Sequence, residues 1–242
     1  MTKFWGIGVG PGDSDLLTLK AVQTIRQLDV LYTPQAHRGA TSVAETIAKP
    51  YLPADLTIKR RHFPMGGDWA IRAHQWQTIA AEIVADVKAG QEVGFLTLGD
   101  PSIYSTYSYI VDLLHTQINV VTIAGISAYS QIAASISTPL VLDDELLEIV
   151  PATAPLEKIE TAIDQNDNVV IMKVATRFTD VYNLLAQRDL LGQATVVTNA
   201  SMADERIKTM ADYHPTDKLP YFTTLILKHT TRGNPQHENS KH

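Results

Sequence analysis

Several stretches of the chain carry residues whose type and spacing could do chemistry. The first is Gly6-Ile7-Gly8-Val9-Gly10-Pro11-Gly12-Asp13, a loop with so little side chain that a ligand could lie against its backbone. It is not a dinucleotide fingerprint. G-x-G-x-x-G counted from Gly6 meets Pro11 at its last position, counted from Gly8 it meets Asp13, and Asp29 precedes the second strand where an acidic ribose partner should follow it. Nor is it a Walker loop, because no Gly-Lys-Ser/Thr appears. A plain tight turn needs one glycine, so four point to a ligand, with Pro11 as a fixed wall.

Three more loops follow apolar runs that read as strands: Gly99-Asp100-Pro101-Ser102-Ile103, Ala124-Gly125-Ile126-Ser127-Ala128 and Met172-Lys173-Val174. Parallel α/β sheets bind ligands just beyond the C-terminal ends of their strands. Each loop alone has a bland use, since Asp100 could cap the next helix and Met172 could be core. Their joint presence in this order is the signal. The densest basic run is Lys59-Arg60-Arg61-His62.

The elements that must position these loops follow from periodicity. Phe4 to Val9 reads as a strand, Leu16, Leu17, Val22, Ile25 and Leu28 as one helical face capped by Asp13 or Ser14, and Val30 to Tyr32 as a second strand. Further on come a helix over 41–48, a strand over 56–62, a helix over 68–88, strands over 92–98 and 120–123, and a helix beginning near Gly125. Strand, helix, strand, helix, strand and a last strand then span 146–228. This is an α/β chain of two lobes, 1–120 and 121–230, with a polar tail, 231–242, that is expected to fray.

Composition narrows the class. At 242 residues, 45% apolar and 19% charged, the chain reads as an ordinary folded protein. A formal charge of -6 argues against a general nucleic-acid binder. No run reaches the roughly 18–20 apolar residues of a membrane span, and the start lacks a signal-peptide pattern, so a cytoplasmic setting is expected. With no cysteine there is neither a disulfide framework nor a thiolate metal site, and no protein-bound metal is expected.

The motifs "GIGVGPGD", "LGDPSIYST", "AGISAYS", "VVIMKV" and "TNASMADERI" resemble the successive motifs of the tetrapyrrole methylases, the class III S-adenosylmethionine-dependent methyltransferases, from residue 4 to about residue 228. "HFPM", "GFLTLGD", "MKVATRF" and "LPYFTTLIL" are similar to those of the branch that methylates C-20 of precorrin-2 in cobalamin synthesis, on the anaerobic, cobalt-first side. The resemblance implies two αβα lobes with the cofactor in the cleft between them, and a homodimer. It implies cofactor contacts at Pro11, Leu98, Gly99, Asp100, Ile103, Ser127, Ala128, Met172 and Ala200, the last standing where some relatives have glycine. The small-molecule substrate so implied is cobalt-precorrin-2 or its oxidised form cobalt-factor II. Methylation of metal-free precorrin-2 and a non-catalytic carrier of a cobalt tetrapyrrole are the alternatives, with an NAD-dependent dehydrogenase disfavoured by the failed fingerprint.

That substrate gives the other candidates their roles. Asp100 is expected to favour a cationic cofactor or to accept the proton that the meso carbon sheds, and Lys173 to reach a carboxylate arm, a snorkelling lysine being the alternative. Arg60, Arg61 and His62 could bind the substrate's carboxylates, where the competing use is an edge strand charged against aggregation. Tyr104, Tyr107, Tyr109 and Tyr221 could line a flat macrocycle, although Tyr104 and Tyr107 lie three apart on an expected helix and one of them is expected in the core.

Overall fold

The computed structural model describes residues 2–35, 42–64 and 67–229. The tail expected over 231–242 and Met65 of the "HFPM" motif lie outside the described residues. The chain divides into two compact units after Ala128.

The first unit holds a parallel sheet of β1 (Phe4–Gly8), β2 (Val30–Gln35), β3 (Thr57–His62), β4 (Val93–Thr97) and β5 (Val120–Ile123), in the order β3-β2-β4-β1-β5. Every residue of β4 is buried, which is why the sequence there is a continuous apolar run rather than an alternating one. Helices α1 (Leu19–Ile25) and α2 (Val43–Ala48) contribute to the core on one face, with Ile7, Leu31 and Leu96. Helices α3 (Trp69–Lys88) and α4 (Tyr107–Leu114) contribute to the core on the other, with Phe4, Tyr32 and Phe95. The expected lobe boundary near 120 precedes β5, whose hydrogen bonds to β1 tie it to this first sheet.

The first helix begins later than its apolar spacing implies. Asp13 caps a short 3-10 turn, Ser14–Leu16, and α1 starts only after Thr18, whose hydroxyl accepts from the Ala21 N–H at 3.1 Å. Asp68 caps α3 as its position suggests, accepting from the N–H groups of Ala70 and Ile71.

The second unit begins at Tyr129. Its strands are β6 (Leu147–Pro151), β7 (Asn168–Met172), β8 (Ala194–Thr198), β9 (Arg206–Thr209) and β10 (Thr223–Lys228), in the order β6-β7-β10-β8-β9. The sheet is mixed. β6 and β7 run parallel, while β10 inserts between β7 and β8 antiparallel to both. The short, exposed β9 pairs antiparallel with β8 at the sheet edge; its sequence, Arg-Ile-Lys-Thr, carries no apolar run from which a strand could be read. Helices α6 (Leu156–Gln165) and α7 (Phe178–Ala186) pack on one face, and Ile132 of α5 (Ala128–Ser135) packs on the other. Among the described residues no helix is long and apolar enough to cross a membrane.

Gly6 has a packing role. A Cβ on it would stand 2.0 Å from the ring of Tyr107, whose hydroxyl shares a 2.7 Å hydrogen bond with that of Thr122. Gly6→Ala is therefore expected to lower the stability by about 1–3 kcal/mol, the usual range for overpacking, in urea unfolding. Partial recovery in Gly6→Ala/Tyr107→Leu would identify the contact, and no loss in the single variant would refute it.

Candidate functional site

At the C-terminal ends of β1, β4 and β5 the backbone of three loops is drawn together. Beyond the last ladder pair of β1 and β4, the Val9 N–H donates to Thr97 O at 3.0 Å, and Gly10 and Gly99 then exchange two hydrogen bonds, Gly99 N–H to Gly10 O at 2.8 Å and Gly10 N–H to Gly99 O at 3.3 Å. Both glycines are left-handed, with φ of 76° and 68°, a conformation that penalises a Cβ. The third loop joins through Gly125, whose N–H donates to Asp100 Oδ2 at 3.0 Å. A Cβ on Gly125 would stand 2.2 Å from Gly99 O, and one on Gly8 2.6 Å from Gly125 N.

The glycine loop thus divides its work. Gly6 and Gly8 make room for other parts of the protein, so the count of four glycines overstates the space left for a ligand. Gly99 is different: a Cβ there would meet only Ile126 O, at 4.0 Å, so its free side is open, with that carbonyl at its margin.

Asp100 is a staple. Its Oδ1 accepts from the Ser102 N–H at 2.8 Å and from the Ser102 hydroxyl, while Oδ2 takes the Gly125 N–H. Both oxygens are engaged inside the loops. The Ile103 N–H closes the turn on Asp100 O at 3.2 Å. Pro11 is buried beside the glycine bridge, and Leu98, Gly99, Asp100, Ile103, Ser127 and Ala128 are half-buried.

In the second unit β7 and β8 run the same way on either side of β10, so their C-terminal ends share one sheet edge. Both strands end on left-handed residues that are not glycine: Lys173, with φ of 58°, and Asn199 and Ser201, with φ of 53° and 57°. Met172 and the buried Ala200 meet in one apolar cluster with Val170, Val197 and Ile226. Burial lowers the pKa of the Lys173 ammonium from its ordinary 10.5.

The basic run stands apart from these loops. β3 is an edge strand, and its side chains alternate between the two faces of the sheet. Lys59 pairs with Asp86 at 2.7 Å and Arg61 with Glu82 at 2.8 Å, both from α3. Arg60 Nε donates at 3.0 Å to Glu45 of α2, which also accepts from the Thr33 hydroxyl. His62 Nδ1 lies 3.2 Å from Gln35 O. Arg60, Arg61 and His62 do not converge, and the two arginines already hold carboxylates of the protein.

The tyrosines separate too. Tyr107 is core, while Tyr104 is 43% and Tyr221 55% exposed, the latter edge-on to Phe222. The sequence placed the loops but not the Gly10–Gly99 bridge or the Asp100 staple, which join residues distant along the chain. The only local signal for the bridge was the glycine content.

Lys173 carries a pH signature. Its folded pKa is depressed, so below that folded value the cost of keeping a charge in a desolvated place is present in full. It is relieved as pH rises through the folded value towards 10.5, above which both folded and unfolded chains are neutral there. The melting temperature of the wild type relative to Lys173→Met is expected to rise with pH in that alkaline window. A difference independent of pH would contradict the burial effect.

The family model described as Tetrapyrrole (Corrin/Porphyrin) Methylases matches residues 3–212. The chain is 33% identical over 226 residues to the cobalt-precorrin-2 C(20)-methyltransferase of Salmonella typhimurium, covering 93% of this chain and 95% of that one. It is 30% identical to the precorrin-2 C(20)-methyltransferase of a Sinorhizobium species, covering 92% and 93%. A structure of uroporphyrin-III C-methyltransferase from Thermus thermophilus, complexed with S-adenyl homocysteine, superposes with a TM-score of 0.68 at 18% identity, covering 93% of this chain and 92% of that one.

Proposed function

The chain belongs to the tetrapyrrole methylase family, and from that premise we propose that it methylates the C-20 meso carbon of cobalt-precorrin-2, or of cobalt-factor II, in anaerobic cobalamin synthesis. The observation that carries this reading is the 33% identity with the Salmonella typhimurium enzyme across nearly the whole of both chains. Similarity to the Sinorhizobium enzyme, named for precorrin-2 without cobalt, supports the second reading, methylation of the metal-free ring. A cytoplasmic homodimer with no resident metal completes the proposal.

The residues fit the family's co-substrate. Gly99 offers an open side that a Cβ would fill, with the Ile126 carbonyl at its margin, which leaves room for a nucleoside to approach the backbone. Pro11, Leu98, Gly99, Asp100, Ile103, Ser127 and Ala128 of the first unit would hold it. When bound, S-adenosylmethionine supplies a methyl group on a sulfonium, ready for displacement by an electron-rich carbon.

What the chain contributes is chiefly orientation, which is worth on the order of 7–11 kcal/mol in favourable cases. The Gly10–Gly99 bridge and the Asp100 staple fix three loops before any ligand arrives. Asp100, with Oδ1 and Oδ2 held by Ser102 and Gly125, positions the loop and places a negative charge near a cation. It is a poor choice of general base, because taking a proton would disturb both bonds. Lys173, held by a left-handed backbone, is assigned to a carboxylate arm of the substrate.

Asp100→Asn is accordingly expected to weaken S-adenosylmethionine binding by about tenfold, through loss of the charge beside the sulfonium and of the charge-assisted bond to the Gly125 N–H, while turnover at saturating co-substrate stays within a few-fold. Lost turnover with intact binding would return the proton-acceptor role to Asp100.

The reading itself is tested by anaerobic incubation with S-adenosylmethionine and, in parallel, cobalt-factor II and metal-free factor II, followed by mass spectrometry. One added methyl on the cobalt form alone is the expected result. Methylation of the free ring alone would select the second reading, and none on either would refute both.

A further inference from the structure

The ends of β3 and β4 that point to the glycine loops also feed α3 and α4, and the first turns of these helices carry aromatic surface that the core leaves exposed. Trp69, the first residue of α3, is 59% exposed and its neighbour Ile71 61%, and Tyr109, in the first turn of α4, is 43% exposed. Trp76, two turns after Trp69, is buried beneath them. Its ring stacks on that of Tyr109 at 4.5 Å between centroids and 5° between planes, and Trp69 stands edge-on to it at 5.6 Å. The Arg72 guanidinium lies 5.2 Å from the Trp69 ring centroid and 5.8 Å from that of Trp76.

Trp69 and Tyr109 are thus exposed rings, 78° apart in plane and buttressed by the buried Trp76, and aromatic side chains lose little conformational freedom on binding. One further observation points to a ligand. Trp76 Nε1 is buried and, among the described residues, has no hydrogen-bond partner, a deficit that costs free energy and that an acceptor brought from outside would remove.

We propose that Trp69, Trp76 and Tyr109, with Arg72, form a platform on which the tetrapyrrole macrocycle rests, its ring against the aromatic surface and one carboxylate arm within reach of the guanidinium. The inference rests on the methylase reading for its ligand and deepens it by naming where the ring is held. Three features choose this occupant. The platform stands at the sheet edge that carries the three loops, its exposed members are flat and apolar, and its cation is an arginine, whose planar fork suits a carboxylate and also stacks on aromatic rings.

The test uses the full-length protein and three measurements: fluorescence titration with metal-free and cobalt-loaded factor II under anaerobic conditions, calorimetric titration with S-adenosylhomocysteine, and sedimentation. Trp69→Ala and Arg72→Gln are each expected to raise the macrocycle's dissociation constant about tenfold, one ring contact or one ionic hydrogen bond. The dissociation constant for S-adenosylhomocysteine should be unchanged. Trp69→Phe, which keeps a ring, should recover most of the loss. Wild-type affinity for the macrocycle in both Trp69→Ala and Arg72→Gln overturns the platform and leaves the methylase reading standing. A change in sedimentation with macrocycle binding intact also overturns it and gives the surface to a second copy of the chain. A wild type that binds S-adenosylhomocysteine but neither macrocycle sinks the platform and the substrate reading together.

Discussion

The two hydrogen bonds between Gly10 and Gly99 are the constraint on which the functional edge of the first unit depends. β1 and β4 leave their ladder at Gly8 and Thr97 and head for helices that pack into opposite faces of the sheet, α1 into one and α4 into the other. Without a tie the two loops would part there. The bridge holds them one residue pair further, at the cost of two left-handed residues, and so brings Gly99 O close enough to the β5 loop that only glycine fits at 125. Asp100 then fastens that loop by its Gly125 N–H. Packing glycine, bridge and staple work as one unit, because loosening any of them removes the reason for the others.

Electrostatics follows the same economy. The chain is acidic, and its densest basic run is consumed in place. Lys59 and Arg61 also lie 5.5 and 5.9 Å from the Tyr32 ring centroid, and the Tyr32 hydroxyl donates to Asp86 at 2.7 Å. Burial and the Asp86 carboxylate push the Tyr32 phenol far above its ordinary pKa. An edge strand that carries charges on both faces and hands each to a helix is protected against pairing with another chain. Lys59, Arg60 and Arg61 thus pair with carboxylates of the protein itself and help to secure β3.

This division explains which features were legible in the sequence. Buried strands announce themselves as apolar runs, so β4, β7 and β8 were placed within a residue or two of their observed bounds. Loops at strand ends followed from the strands, which is why Asp100, Ser127 and Met172 fall at strand-end turns as expected. The start of α1 was misplaced because Leu16 and Leu17 continue its apolar face while Thr18 offers the better cap. β9 was missed because an exposed edge strand of four residues has no pattern to show. The fate of Arg60 and Arg61 could not be read either, since Glu45 and Glu82 lie far along the chain and nothing local pairs them.

The second unit positions its residues by a different device. Where the first bridges its loops with glycines at positive φ, Tyr104 being its non-glycine exception at 47°, β7 and β8 end on Lys173, Asn199 and Ser201 in the same region of backbone space, at a cost of order 1–3 kcal/mol each. Local bonds hold them there: the Asn199 N–H donates to Phe222 O at 2.8 Å, and its side-chain amide donates to Asp204 at 2.7 Å. The Thr176 N–H and hydroxyl both donate to Lys173 O. A glycine would relax that strain at Lys173 but would carry no charge, so the fold retains a side chain where the backbone would favour none. The first unit's loops meet at a glycine bridge and leave one side of Gly99 open, whereas the second keeps side chains at backbone positions that favour glycine.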